Sequence, residues 1–208
     1  MARPLSDISL KHLSIMSKVK GGIFTRAMMA EKGISSSFLR GWLSNGLIVD
    51  LGHTYYRVAS APDDPVLYLS IRYPEAVFSH FTALWLHGVL DKRPERLQMT
   101  FLLNTRTSRC RGLPLDATHS IENKYPIGMT MVETRYGHAV NTYDVERSFC
   151  DIFMKKGEPD EQLIRQCYAS AIAGNMLNRT RLVSYAVDLN GVAQVSRWLR
   201  KLEVDDSR

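Results

Sequence analysis

The sequence predicts a mixed α+β protein built in two parts: a small helical N-terminal segment closed by a hairpin, and a larger α/β body that ends in helices. Three observations lead there. Residues 1–60 are punctuated as helix, helix, turn, helix, hairpin. The stretch Ala59-Ser60-Ala61-Pro62-Asp63-Asp64-Pro65 is small, polar and twice interrupted by proline, which disfavours helix and marks a break. Beyond it, strand-like segments come first and helical ones last, as in α/β or α+β packing. The expected domains are 1–61 and 62–208.

Composition agrees. Of 208 residues, 45% are hydrophobic and 23% charged, enough apolar material for one large domain or two small ones. No run of eighteen apolar residues occurs, which argues against a spanning helix. The opening Met1-Ala2-Arg3-Pro4 lacks the basic-then-apolar layout of a signal peptide. Cys110, Cys150 and Cys167 are an odd number without metal-like spacing. They are expected to be reduced thiols of a cytoplasmic protein.

In the first segment, Leu10, Leu13, Met16 and Val19 form a stripe after a Ser6-Asp7 capping signal. Lys20-Gly21-Gly22 ends that helix. Thr25 is the expected N-cap of a second, and Gly33 its stop, because glycine readily takes the left-handed conformation of a helix terminus. Ile34 plugs the turn, and Ser35-Ser36 caps a third helix reaching about Asn45-Gly46. At 100° per residue, Phe38, Leu39, Trp42 and Leu43 fall on one side of it, opposite Ser37, Arg40, Gly41 and Ser44. That second face is short and polar, with one arginine and a glycine permitting close approach. It suits a major groove, although a solvated amphipathic face has the same pattern.

Residues 47–51 then read as a strand, Gly52-His53 as a turn and residues 54–58 as the returning strand. Helix-turn-helix followed by a hairpin is a winged helix. The charge supports a polyanion partner. Residues 1–60 carry eight lysines and arginines against three acids, a net +5, out of +6 for the whole chain. The expected contacts to double-stranded DNA are Arg26, Ser36, Ser37, Arg40, Gly41 and Ser44 around the third helix, with His53, Thr54 and Arg57 on the wing. Lys20 and Lys32, like Arg26, are phosphate contacts or plain surface charge.

Residues 22–35 (GIFTRAMMAEKGIS), 39–48 (LRGWLSNGLI) and the wing 52–56 resemble the AbiEi antitoxin family. The resemblance continues through 72–84 (RYPEAVFSHFTAL), closes with Leu86-His87-Gly88, and returns in 143–151 (YDVERSFCD). It spans about 20 to 190, loosely between 104 and 135. It implies a bacterial regulator with a winged-helix N-terminal domain and an α/β antitoxin domain. Such a protein represses its own operon at inverted repeats and counteracts a nucleotidyltransferase-like toxin encoded beside it. A stable complex between the two is not required. Where relatives often carry a basic residue in the wing turn, this chain has His53. No cofactor is implied, and the chain is expected to be a monomer or dimer that pairs on DNA.

The body reads as a helix after residue 64, a strand at Ala76-Val77-Phe78, a helix capped by Ser79 and a strand over 97–103. A hairpin joins 129–134 to 138–141 through Tyr136-Gly137. Helices follow near Val145 and over 160–173, 181–187 and 192–201. His80 and His87 share a helix face but stand seven apart, wider than metal-ligand spacing usually allows. Asp144, Arg147 and Asp151 step along a helix face as a charge ladder, packing or partner-facing. Asp116 with Glu122 and Lys124 is similar to a PD-(D/E)xK nuclease pattern, but the acids are too close for its usual hairpin. Arg106, Arg109 and Arg111 form either a second phosphate-contacting patch or a solvated turn. Two rivals to the antitoxin reading therefore stand. A polar pocket in the body would favour a ligand-sensing repressor, and converging acids with a lysine would favour a nuclease.

Overall fold

A computed structural model describes residues 5–107, 110, 113–155, 157 and 160–204. The fold is α+β, with two separate sheets of three and five strands. Helix α1 spans Asp7–Ser17, with the Ser6 hydroxyl accepting from the Ser9 amide at 3.3 Å. Met16 is fully buried, whereas Leu10 stays 47% exposed. The predicted stripe fails at Leu10 because three-residue steps turn only 300°, so the row swings 60° per step around the helix. The core face instead runs through Ser9 and Met16, and buried Ser9 accepts a hydrogen bond from Trp42 Nε1 at 2.8 Å.

A single 3-10 turn, Lys20–Gly22, leads into strand β1, Ile23–Thr25, which the sequence pattern did not suggest. Helix α2, Arg26–Glu31, starts as expected, with Thr25 Oγ1 accepting from the Met28 amide at 3.2 Å. Gly33 follows at φ +68° and Ile34 is buried. Helix α3, Phe38–Ser44, departs from the expected cap. Ser37 holds the cap position but its hydroxyl bonds Ser35 Oγ at 2.8 Å and caps no helix amide, while Ser35 Oγ takes the Ser37 amide at 3.2 Å. Strands β2, Ile48–Gly52, and β3, Tyr55–Val58, close a three-stranded antiparallel sheet in the order β1-β3-β2. Met16, Phe24, Met29, Ile34, Leu39, Trp42, Ile48, Tyr56 and Val58 form one core between helices and sheet. Full burial of one such large apolar side chain contributes about 1.5–3 kcal/mol.

The chain divides into two compact units between Leu69 and Ser70, inside helix α4, Pro65–Arg72, and not at Ala61. The proline-punctuated stretch belongs to the first unit because it is tied down there. A Cβ on Gly22 would stand 2.7 Å from that of Ala61, so the glycine makes room for it. Arg57 donates to the Ala61 carbonyl and lies 3.7 Å from Asp63. Asp64 caps α4 by accepting from the Leu67 amide, and Tyr68 donates to the Leu51 carbonyl while packing edge-on against Tyr55.

The second unit holds β4 (Val77–Phe78), α5 (His80–Leu86), β5 (Leu97–Leu102), β6 (Leu115–Ser120), β7 (Met129–Glu133) and β8 (Ala139–Tyr143). These strands form a mixed sheet, β6-β5-β4-β8-β7, in which β5 and β6 run parallel. Helices α6 (Val145–Met154), α7 (Glu161–Ala173), α8 (Arg179–Asp188) and α9 (Val192–Val204) follow. Helix α6 is the hub, packing on α5, α8 and α9. Phe149, Cys150, Ile152 and Phe153 put its apolar face in the core, and the Phe153 ring stacks on Trp198 at 5.7 Å. Among the described residues, no helix is long and apolar enough to cross a membrane.

Candidate nucleic-acid interface

The N-terminal unit gathers five of the nine predicted contacts in one place. Arg26, Ser36, Ser37, Arg40 and Ser44 line an open groove of about 860 Å³, together with Leu39, Leu43 and Tyr56. Short helices position them. Thr25 caps α2 so that Arg26 starts its first turn, and Gly33 lets the chain reverse before the serines. Arg26 Nη2 reaches the Tyr56 hydroxyl at 3.4 Å, which holds the guanidinium near the groove floor. Arg40 stands exposed on α3, and its planar guanidinium offers a fork of N–H donors to a partner. Leu43 is 38% exposed and lies on the groove, not in the core with Phe38, Leu39 and Trp42. It adds an apolar surface that the helical-wheel division did not anticipate, of the kind that meets a thymine methyl.

The other four go elsewhere. Gly41 faces the chain itself, since a Cβ there would stand 3.2 Å from Leu5 Cδ2. The close approach that it permits is to the segment preceding α1. Arg57 is held by Ala61 and Asp63, with its side chain only 12% exposed. Its charge serves the join between wing and α4. His53 and Thr54 form the tip of the wing, both exposed and both at positive φ, 52° and 71°. A two-residue hairpin loop demands that conformation, usually from asparagine or glycine. Lys20 and Lys32 remain at the surface or close to it.

The candidates of the second unit resolve as follows. Arg147, 2% exposed, is no member of a surface ladder. It binds Asp151 at 2.9 Å, donates at 2.7 Å to the carbonyls of Lys124 and Ile127, and lies over the Tyr143 ring at 4.2 Å. Asp144 caps α6 through the Arg147 amide and accepts from the Tyr185 hydroxyl at 3.0 Å. Burial raises its pKa above the ordinary carboxylate value despite those bonds. His87 bonds the Tyr143 carbonyl at 2.8 Å. His80 is buried at φ +53° against the Ser79 hydroxyl at 2.9 Å, which takes Ser79 away from capping α5. Desolvation lowers the pKa of His80, so it is neutral at pH 7.

Asp116 pairs with Arg96 at 2.6 Å, Lys124 Nζ donates to the Leu189 carbonyl at 2.6 Å, and Glu122 is exposed. The three are thus employed separately. No group of three metal-binding side chains occurs among the described residues. All three cysteines are free and buried, and burial pushes the Cys150 thiol up to about 12. Arg106 is exposed, while Arg109 and Arg111 lie outside the described residues.

A cavity of about 260 Å³ opens in the second unit and draws together His80, Lys124, Arg147 and Asp151, which the sequence singled out in separate motifs. Its lining includes His80, Thr100, Thr118, Ser120, Lys124, Arg147, Asp151 and Lys155.

No family model and no curated protein matches the chain. The crystal structure of the RV2827C protein from Mycobacterium tuberculosis is similar, with a TM-score of 0.64 over 96% of this chain and 83% of that one. The two are 14% identical, so the likeness establishes the fold.

Proposed function

We propose that this chain is a DNA-binding antitoxin of the AbiEi type, acting in the cytoplasm. It represses its own operon through the winged helix and counteracts a nucleotidyltransferase-like toxin through the second unit. The groove lined by Arg26, Ser36, Ser37, Arg40 and Ser44 carries the DNA part. With α3 in the major groove, Arg40 reaches guanine O6 and N7, the serines take base edges or phosphate oxygens, and Arg26 takes a phosphate. The wing tip, His53 and Thr54, lies along the adjoining backbone. One arginine gives few base contacts, so two copies bind inverted half-sites. The antitoxin part is supported by the resemblance in 72–88 and 143–151.

The test is fluorescence anisotropy of the full chain on the DNA upstream of its own gene, with a footprint of the same segment. Arg40→Ala is expected to weaken binding by about 1–3 kcal/mol, and the footprint to cover paired half-sites. Affinity should also fall steeply with salt, because bound lysines and arginines displace condensed counterions. Equal affinity for Arg40→Ala and the parent, or a flat salt dependence, would sink the DNA reading.

A further inference from the structure

The 260 Å³ cavity of the second unit contains more charge than its packing uses. Lys124 spends one of its three N–H donors on the Leu189 carbonyl. Lys155 is exposed at the cavity and forms no ion pair among the described residues. Arg147 lines the wall behind them, balanced in part by Asp151. Three fixed cations against one carboxylate leave a net +2, with neutral His80 beside them. Net positive charge lining a cavity draws an anion.

A second feature narrows the occupant. Asp151 Oδ1 accepts from Arg147, but Oδ2 is buried with no hydrogen-bond partner. A buried carboxylate oxygen left unbonded is costly, and a hydroxyl donor that reaches it as the Asp151 side chain turns toward the cavity would recover that cost. Thr118 donates to the Met99 carbonyl at 3.3 Å and bonds Thr100 at 2.9 Å, so the two hydroxyls add oxygens that can accept from an alcohol. The volume is below the usual range of roughly 300–1,000 Å³ for drug-sized ligands, so the occupant is small.

We infer that this cavity binds a small phosphate ester with free hydroxyls, of the pentose-phosphate or nucleoside-monophosphate class. The phosphate meets Lys155 and Lys124, and a hydroxyl donates to Asp151 Oδ2. Every residue involved lies in the second unit, so the inference is independent of the DNA reading and can fail without it.

Isothermal titration calorimetry of the full chain tests it, with ribose 5-phosphate, adenosine 5′-monophosphate, inorganic phosphate and ribose as probes. Ribose 5-phosphate is expected to bind saturably with a Kd below about 1 mM. Inorganic phosphate should bind more weakly and ribose not at all. Lys155→Ala should weaken binding about tenfold, the value of one charge-assisted hydrogen bond, and Thr118→Val should weaken it less. Tighter binding of adenosine 5′-monophosphate assigns the nucleotide class, and weaker binding the sugar-phosphate class. Absence of saturable binding by both esters overturns the inference. So does binding that Lys155→Ala leaves unchanged, or inorganic phosphate binding as tightly as ribose 5-phosphate. Lys155 is exposed, so that variant keeps the fold and decides the matter even if Thr118→Val unfolds.

Discussion

His80 combines three departures from what a histidine in a helical pattern leads one to expect. It is buried, it sits at φ +53°, and its Nδ1 is bonded to Ser79 Oγ, not to a metal or a carboxylate. Desolvation lowers its pKa and outweighs the opposite pull of Asp151, while the nearby charges of Lys155 and Arg147 add smaller effects in the same direction as desolvation. A group whose folded pKa is depressed binds its proton more readily in the unfolded chain. Stability is therefore full above the unfolded value of about 6.5 and is lost as pH falls through that value towards the folded one. Half-buried Asp144, whose pKa is raised, works with the opposite sign but in the carboxylate range, at lower pH. The parent is expected to melt at lower temperature at pH 5.5 than at pH 7.5, and His80→Asn to show a smaller drop. Asparagine is the right replacement because it tolerates the left-handed conformation. Identical drops in the two proteins would mean that His80 is protonated in the folded state.

Among the elements, the wing turn shows what the sequence pattern conveys and what it hides. The Gly52-His53-Thr54 punctuation marks a hairpin, but the loop falls one residue later than expected, at His53-Thr54, because a register shift between Asp50 and Gly52 pairs Gly52 with Tyr55. Thr54 thus carries φ +71°, a conformation that costs a residue with a Cβ about 1–2 kcal/mol, and a β-branched one at least that. Strain retained at an exposed tip is consistent with a tip that makes a contact. Thr54→Gly is expected to stabilise residues 1–69 by about 1 kcal/mol while weakening DNA binding. Urea unfolding followed by the fluorescence of Trp42, the sole tryptophan of that segment, measures it; a lower midpoint would refute the strain. Helices were legible where caps such as Ser6 and Thr25 leave a local signature, although Asp144 caps α6 where the pattern suggests a charge ladder, and Ser79 leaves α5 without a side-chain cap. Strands β1 and β6 were not. The first has three residues and exists only through β3, and the second mixes Asp116 and His119 into a half-exposed edge without alternation. The same limit applies at the groove. Residue type brought out Arg40, but only tertiary contacts turn Arg57 toward Ala61, set Gly41 against Leu5 and leave Leu43 uncovered.

At the scale of the whole molecule, the division between Leu69 and Ser70 determines how its two proposed tasks can be separated. A cut at residue 61 follows the prolines, but it strips from the first unit the Asp63 carboxylate beside Arg57 and the Tyr68 contact with Tyr55 and Leu51. Residues 1–69 should therefore unfold at a higher urea midpoint than residues 1–60, since the shorter fragment leaves Arg57 without Asp63 and the Leu51 carbonyl without its donor. The longer fragment should bind operator DNA yet fail to rescue growth when the toxin is expressed. Residues 70–208 should do the reverse, because the AbiEi resemblance assigns neutralisation to this part, which has a five-stranded sheet and a helical core of its own. That fragment begins inside α4, so circular dichroism must first show that it is folded. If a folded 70–208 fragment fails to rescue growth while full-length Arg40→Ala protein succeeds, neutralisation requires both units. The split of repression and antitoxin activity along this boundary would then be wrong, even with DNA binding intact.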